Sequence, residues 1–181
     1  MFCGARSGER AGITEAAREV GRLIGERGHR LVYGGGGSGL MGEVAWAAAK
    51  SGAPITGYTP RFLYERELAI AAPDQELHLT DDMFERKRLM IEHADAFLAL
   101  PGGYGTLDEV LDVLSLNCLG EQGKPLVLVD AEGFWGPIRA AVEKLRGLGF
   151  ADHGEGVLFR TARGGAEALA LAEALATGAR T

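Results

Sequence analysis

The sequence predicts a doubly wound α/β protein: a mostly parallel sheet of about six strands with helices on both faces, in one domain over residues 1–181. Short apolar runs alternate along the chain with segments of helical periodicity, which is typical of β-α-β units and a parallel sheet. The apolar runs contain no alternating polar residues, as expected for strands covered on both faces. A length of 181 residues suits a single domain with its own core. The strand order expected for this class is 3-2-1-4-5-6.

The strands are predicted from apolar runs that glycine or proline brings to an end. Leu-Val-Tyr at 31–33 stops at four glycines, and the run at 96–100 stops at Pro101. The predicted strands are 2–3, 31–33, 55–58, 96–100, 126–129 and 157–159, with 77–79 as a short edge strand. Two residues are fewer than the ~5–6 of an ordinary strand. The first strand is therefore expected to be stunted or to begin upstream of Met1.

The helices are predicted from apolar residues that recur every three or four positions. In the first helix these are Ala17, Val20, Leu23 and Ile24, and Gly28 follows as a helix stop. The other predicted helices cover residues 40–50, 81–93, 107–118, 134–145 and 166–176. Residues 60–74 are predicted to be irregular.

Composition and charge exclude several classes of protein. The net charge is −6 and the pI about 5.3, without the basic patch typical of proteins that bind nucleic-acid polymers. No apolar run approaches the ~18 residues of a membrane span, and no signal peptide is expected. Cys3 and Cys118 fit neither a disulfide framework nor a metal site. A cytoplasmic protein without a metal is expected.

Glycine is in excess, with 28 residues against about 13 at the usual frequency of ~7%. One cluster, 34–39, follows a predicted strand and opens a predicted helix. Unpaired N–H groups at a helix N-terminus bind anions, and glycine lets the backbone approach a phosphate closely. This cluster matches GxGxxG but lacks the lysine of a Walker A loop. The pattern predicts a phosphate-binding loop, and the alternative is a tight turn without a ligand.

A second cluster, 101–109, has the same position between a strand and a helix. In a doubly wound sheet both loops lie at the carboxyl ends of strands, so they could converge on one anionic ligand. Glu109 lies near this loop, although Thr106-x-x-Glu109 also has the pattern of a capping box. Arg86 lies early in the preceding predicted helix, and the alternative to a role in the site is a solvated, mixed-charge helix face with an Asp82–Arg86 pair.

Three motifs together resemble the LOG family, the LONELY GUY-type cytokinin riboside 5′-monophosphate phosphoribohydrolases, formerly labelled lysine decarboxylases. They are GGGGSGLMG at 34–42, MFERK at 83–87 and PGGYGTLDE at 101–109. The resemblance covers nearly the whole chain, and an Arg-Lys pair upstream of PGGxGTxxE is specific for the family. It implies a Rossmann-like fold, a homodimer or larger homo-oligomer, and no cofactor. The implied reaction hydrolyses the N-glycosidic bond of a nucleoside 5′-monophosphate, releasing free base and ribose 5-phosphate.

By the same resemblance, Arg86 and Glu109 are the expected catalytic residues. A carboxylate can stabilise the positive charge that develops on the ribose as the base departs, or orient the attacking water. Arg86 would hold Glu109 or stabilise charge on the base. The expected substrate- and phosphate-binding residues are Gly35, Gly36, Ser38, Gly39, Met83, Lys87, Gly102, Gly103, Gly105 and Thr106.

The chain departs from the family pattern at two places. Phe84 replaces the usual histidine, and residues 115–118 read Ser-Leu-Asn-Cys where the family often has Thr-Trp-Ala-Gln. Of the properties that the resemblance implies, the preference for a particular base is therefore the one least safely carried over from the family to this chain. Two alternative functions stay open: a nucleotide or molybdenum-cofactor carrier without hydrolase activity, and a nucleotide 5′-monophosphate nucleosidase of broad specificity. Retention of Arg86 and Glu109 favours an enzyme, because a carrier does not need that pair.

Overall fold

A computed structural model describes residues 1–66, 72, 74–154 and 156–178 of the chain. The strands are β1 (Leu31–Tyr33), β2 (Ile55–Pro60), β3 (Glu76–Thr80), β4 (Phe97–Ala99), β5 (Leu126–Val129) and β6 (Arg160–Ala162). The helices are α1 (Ala11–Glu26), α2 (Gly39–Lys50), α3 (Arg61–Arg66), α4 (Met83–Glu92), α5 (Tyr104–Leu119), α6 (Gly136–Gly147) and α7 (Gly165–Gly178). The predicted alternation of strands and helices is confirmed.

All strand pairs in the described part of the chain are parallel, as predicted, but they form two sheets of three strands. One has the order β1-β2-β3, with Leu31 opposite Ile55, and the other the order β4-β5-β6, with Phe97 opposite Leu126. The prediction of one continuous six-stranded sheet in the order 3-2-1-4-5-6 is therefore wrong.

The stub predicted as a first strand lies where the two sheets approach each other. Phe2 forms a single parallel bridge with Ala99, and its backbone exchanges 2.9 Å hydrogen bonds with Leu98 and Leu100. On the other side, the Met1 nitrogen donates to the Val32 carbonyl at 2.8 Å. Because so few residues pair on either side, the segment joins no ladder, and the two sheets stay separate.

Two local predictions also differ from the structure. Residues 61–66 form α3, so the predicted irregular segment is wrong there, whereas 67–71 and 73 lie outside the described residues. The predicted strand at 157–159 is a turn in which Val157 and Leu158 both donate to the Gly154 carbonyl, and β6 begins only at Arg160. Leu158 and Phe159 are buried. These two residues are therefore apolar because they are buried in a turn, and not because they pair in a sheet.

Helices cover both faces of the strands, as predicted. Successive residues of a strand point to opposite faces, and in β5 Val127 and Val129 pack on one core cluster while Leu126 and Leu128 pack on another. The first cluster contains side chains of α1, α2 and α7, and the second contains side chains of α4, α5 and α6. No helix in the described part of the chain is long and apolar enough to cross a membrane.

Candidate active site

A cleft of about 750 Å³ opens beyond the carboxyl ends of β1 and β4. Both glycine-rich loops line it, through Gly34 and Gly36 from the first and through residues 101–106 from the second. The predicted convergence of the two loops on one space is therefore present. The structure adds a third wall, residues 3–8, which connects the N-terminal stub to α1.

Arg86 and Glu109 form an ion pair at the floor of this cleft. Arg86 Nη1 lies 2.9 Å from Glu109 Oε1, and the side chains are only 9% and 6% exposed. Arg86 Nε donates to the Tyr58 carbonyl at 3.0 Å, which anchors the guanidinium to the end of β2. The alternative explanations for these two residues are therefore wrong. Arg86 does not lie on a solvated helix face, and the N-cap of α5 is Gly103, without a Thr106–Glu109 capping box.

The pair comes together because α4 and α5 each present one charged residue inward. α4 begins at Asp82, whose carboxylate accepts a 2.8 Å hydrogen bond from the Glu85 nitrogen, and Arg86 follows one turn later. α5 begins directly after the second glycine loop, and Glu109 lies in its second turn. An ion pair taken out of water costs desolvation free energy that its own attraction only partly offsets. Such a pair at a cleft floor is typical of a functional site.

The Glu109 carboxylate is held mainly by the charge of Arg86 and not by a well-aligned hydrogen bond. The Arg86 contact to Oε1 lies outside hydrogen-bond geometry, and within the described residues that buried oxygen accepts no hydrogen bond. Burial raises the pKa of Glu109 above its ordinary value, and the neighbouring Arg86 charge only partly opposes this. The protonation of Glu109 therefore depends on the balance between its burial and the Arg86 charge.

Gly34 is required by the position of Arg86. A Cβ atom at residue 34 would overlap Arg86 Nη2 and press on Met41. We expect Gly34→Ala to lower the free energy of unfolding by about 1–3 kcal/mol, the usual cost of overpacking a tight site. Urea denaturation measures this. Gly136→Ala is the matched control, because a Cβ there meets no atom within 4 Å; equal stability of both variants would contradict the prediction.

The cleft brings together most of the predicted site residues but not all of them. Its lining contains Gly36, Met83, Arg86, Gly102, Gly103, Gly105, Thr106 and Glu109. Gly35, Ser38, Gly39 and Lys87 lie outside the lining. Gly35 and Gly39 adopt positive φ angles of 76° and 57°, which glycine tolerates without strain. Ser38 is exposed, with its hydroxyl 3.4 Å from the Ala5 carbonyl. These three residues shape the first loop from outside the cleft.

Lys87 ties α4 to α5. Its Nζ lies 2.9 Å from Asp108 and 2.7 Å from Asp112, and its side chain is only 12% exposed. Burial lowers the pKa of Lys87, but hydrogen bonds to both carboxylates outweigh this and raise it overall. The Lys87–Asp108 contact lies directly beside the Arg86–Glu109 contact in sequence. Together with the Asp112 contact, it holds the two helices that carry the buried pair beside each other.

Sequence reasoning missed the wall formed by residues 3–8 and several single contributors from other loops. Thr59, Leu63 and Phe134 also line the cleft. The segment 4–8 begins and ends with glycine and connects the N-terminal stub to a helix, the same arrangement as in the two recognised loops.

Phe84, at the position of the family's histidine, is 79% exposed and lies outside the lining, with its ring 5.6 Å from Lys87 Nζ. The described residues contain no group of three or more side chains suited to a metal ion.

Comparisons with known proteins place this geometry in context. The family model described as "Possible lysine decarboxylase" matches residues 41–171. The probable cytokinin riboside 5′-monophosphate phosphoribohydrolase LOGL1 of Oryza sativa subsp. japonica is 39% identical over 150 residues, which are 83% of this chain and 67% of that protein. The phosphoribohydrolase LOG of the same organism is 41% identical over 83% of this chain and 62% of its own length. The chain thus spans about two thirds of the length of these relatives.

A solved structure gives a match of another kind. The molybdenum cofactor carrier protein of Chlamydomonas reinhardtii superposes with a TM-score of 0.72, covering 98% of this chain and 96% of that one, at 21% identity. At this identity the likeness shows the fold alone.

Proposed function

This chain belongs to the LOG family of cytokinin riboside 5′-monophosphate phosphoribohydrolases, and we propose that it hydrolyses the N-glycosidic bond of nucleoside 5′-monophosphates. The substrates are AMP or a cytokinin riboside 5′-monophosphate, and the products are the free base and ribose 5-phosphate. One observation carries the proposal: a buried Arg86–Glu109 pair at the floor of a cleft lined by two glycine-rich loops.

The N-terminus of α5 supports binding of the substrate's phosphate. The first N–H groups of a helix have no intrahelical acceptor, and the helix dipole favours an anion there. In α5 these groups belong to residues 104–106, which line the cleft. Gly102 is needed beside them, because a Cβ at this position would overlap the Thr106 hydroxyl. A phosphate held here supplies binding energy remote from the reacting bond.

Glu109 is the group we place next to the ribose. As the base departs, positive charge develops on the sugar, and a nearby carboxylate stabilises it electrostatically. The same carboxylate is a suitable group to orient the attacking water. Arg86 orients the carboxylate and favours its ionised form, and it cannot itself serve as a proton donor, because a guanidinium does not deprotonate readily.

The proposal is tested by offering AMP, GMP, CMP and isopentenyl-AMP to the purified protein and measuring free base. We expect release from AMP or from isopentenyl-AMP, with ribose 5-phosphate in equal amount. Comparable release from all four would indicate a broad-specificity nucleosidase. No release from any of them would overturn the enzyme assignment and favour a nucleotide carrier.

We also propose that the protein acts as a homodimer or larger homo-oligomer. Tyr104 and Leu111 are 92% and 54% exposed and lie one heptad apart on α5, where they share a face; Leu119, at the end of that helix, and Phe84 on α4 are likewise exposed. Exposed apolar side chains grouped on neighbouring elements are typical of protein interfaces. Light scattering coupled to size exclusion measures the mass, and a monomer would contradict this.

A further inference from the structure

The loop of residues 4–8 is held where the two glycine-rich loops meet. The Gly4 nitrogen donates to the Pro101 carbonyl at 3.1 Å, and the Gly4 carbonyl accepts from the Met41 nitrogen at 3.2 Å. A Cβ at Gly39 would overlap the backbone of Ala5 and crowd the nitrogen of residue 6. These contacts to both loops fix the backbone at position 6 beside the cleft.

Arg6 gives the cleft an uncompensated positive charge. Among the residues that the structure describes, three charged side chains line the cleft: Arg6, Arg86 and Glu109. Arg86 and Glu109 neutralise each other across 2.9 Å. Arg6 is exposed and makes no ion pair with any residue that the structure describes. Although the protein has a net charge of −6, the described lining of its cleft therefore carries an excess of one positive charge.

Lys87 cannot supply that charge to a ligand. Its ammonium group already contacts two carboxylates, and it lies outside the cleft lining. Arg86 is likewise committed, to Glu109 and to the Tyr58 carbonyl. A second cavity of about 550 Å³, at the amino ends of the strands, contains Arg30 and His29, but these lie 4.0 Å from Glu76 and 2.7 Å from Glu173. The cleft, by contrast, contains Arg6 without such a partner among the described residues, together with the N-terminus of α5.

We propose that Arg6 binds the 5′-phosphate of the substrate and sets the preference for nucleoside monophosphates over nucleosides. The inference rests on the proposed function and adds to it a residue that none of the three motifs contains. Guanidinium matches a phosphate in charge and geometry, donating two parallel N–H···O bonds. The helix N-terminus of α5, which lines the same cleft, contributes backbone donors. Together they balance the dianion without involving the Arg86–Glu109 pair.

The test compares AMP with adenosine in wild type, Arg6→Ala and Arg6→Lys. For Arg6→Ala we expect kcat/KM with AMP to fall about 10- to 100-fold, mainly through KM, which corresponds to the loss of a hydrogen bond to a charged group. The ratio of kcat/KM for AMP to that for adenosine should fall by a similar factor. Arg6→Lys should recover part of it, because an ammonium keeps the charge but not the paired donors.

Arg10→Ala is the matched control. It removes the same charge four residues further on, where the guanidinium pairs with Glu132 at 3.1 Å and lies outside the cleft. An AMP/adenosine ratio unchanged in Arg6→Ala, or lowered equally in Arg10→Ala, would overturn the assignment of Arg6.

A second measurement separates this inference from the proposed function. Inorganic phosphate should raise the Tm of the wild-type protein and of Arg10→Ala, but raise that of Arg6→Ala much less, whether or not any nucleotide is hydrolysed. Failure of base release in wild type would overturn the proposed function alone. Equal Tm shifts in wild type and Arg6→Ala would overturn the role of Arg6 alone.

Discussion

Glu109→Gln should lower kcat for nucleoside 5′-monophosphate hydrolysis by about 100- to 10,000-fold, the range typical of a lost general base or charge-stabilising group. Glutamine has the same size as glutamate and its amide oxygen can still face Arg86, so the cleft keeps its shape. Only the negative charge disappears, and with it the stabilisation of the positive ribose. Single-turnover base release measures the effect, and equilibrium binding of AMP checks that the substrate still binds.

Asp108→Asn is the control for Glu109→Gln. Asp108 is the preceding residue on α5, but its side chain is 53% exposed, and Lys87 keeps its 2.7 Å contact to Asp112 when Asp108 is neutralised. We expect its kcat to stay within a few-fold of wild type. A Glu109→Gln enzyme that retains more than about a tenth of the wild-type rate would contradict the role of the carboxylate.

Arg86→Gln should abolish most activity and change its dependence on pH. In the wild type, burial raises the pKa of Glu109 and the charge of Arg86 opposes that rise. Activity that requires the carboxylate therefore declines with falling pH at values above the ordinary glutamate range. Without Arg86, only the attraction of the Met1 amino group still opposes desolvation. The acidic limb of kcat in Arg86→Gln should then lie at higher pH than in wild type.

Arg86→Gln should also lower the free energy of unfolding, by an amount that depends on pH. Breaking a buried ion pair by removing one partner costs about 3–5 kcal/mol while the other stays charged. Because the folded-state pKa of Glu109 is then raised further above its unfolded value, the folded protein takes up a proton as pH falls. The free energy of unfolding should therefore recover at low pH and decline as pH rises through the folded pKa. Urea denaturation at several pH values measures this.

Arg88→Gln serves as the control on the same helix. Arg88 is 56% exposed and pairs with Glu92 one turn away, so its loss should change stability by less than about 1 kcal/mol. The acidic limb of the kcat–pH profile of Arg88→Gln should lie at the same pH as in wild type. A limb at the same pH in Arg86→Gln and Arg88→Gln would show that Glu109 is not the titrating group.

Local sequence was sufficient for most of the elements and for the position of the two glycine-rich loops. The apolar run at 31–33 ends directly at the first glycine cluster. The second cluster, at 101–106, precedes a helix whose apolar residues recur at a regular spacing. Such features depend on backbone conformation and hydrogen bonding within a few residues, which neighbouring side chains control. The predicted strand at 157–159 is wrong because a short apolar run has the same sequence pattern in a buried turn as in a buried strand.

The sequence by itself thus determined the alternating α/β architecture, the two loops at the strand ends and, through the motif resemblance, the pairing of Arg86 with Glu109 as the expected catalytic residues. The tertiary structure alone decided that the sheet divides in two, that Lys87 binds α5 instead of the cleft, and that Arg6 stands between the loops. The physical reason is one of range. Conformational propensity acts over a turn or two of chain, whereas burial and charge pairing depend on which distant segments pack together. The periodicity of α4 marks Arg86 and Lys87 alike as polar, and only the approach of α5 buries both and gives them different partners.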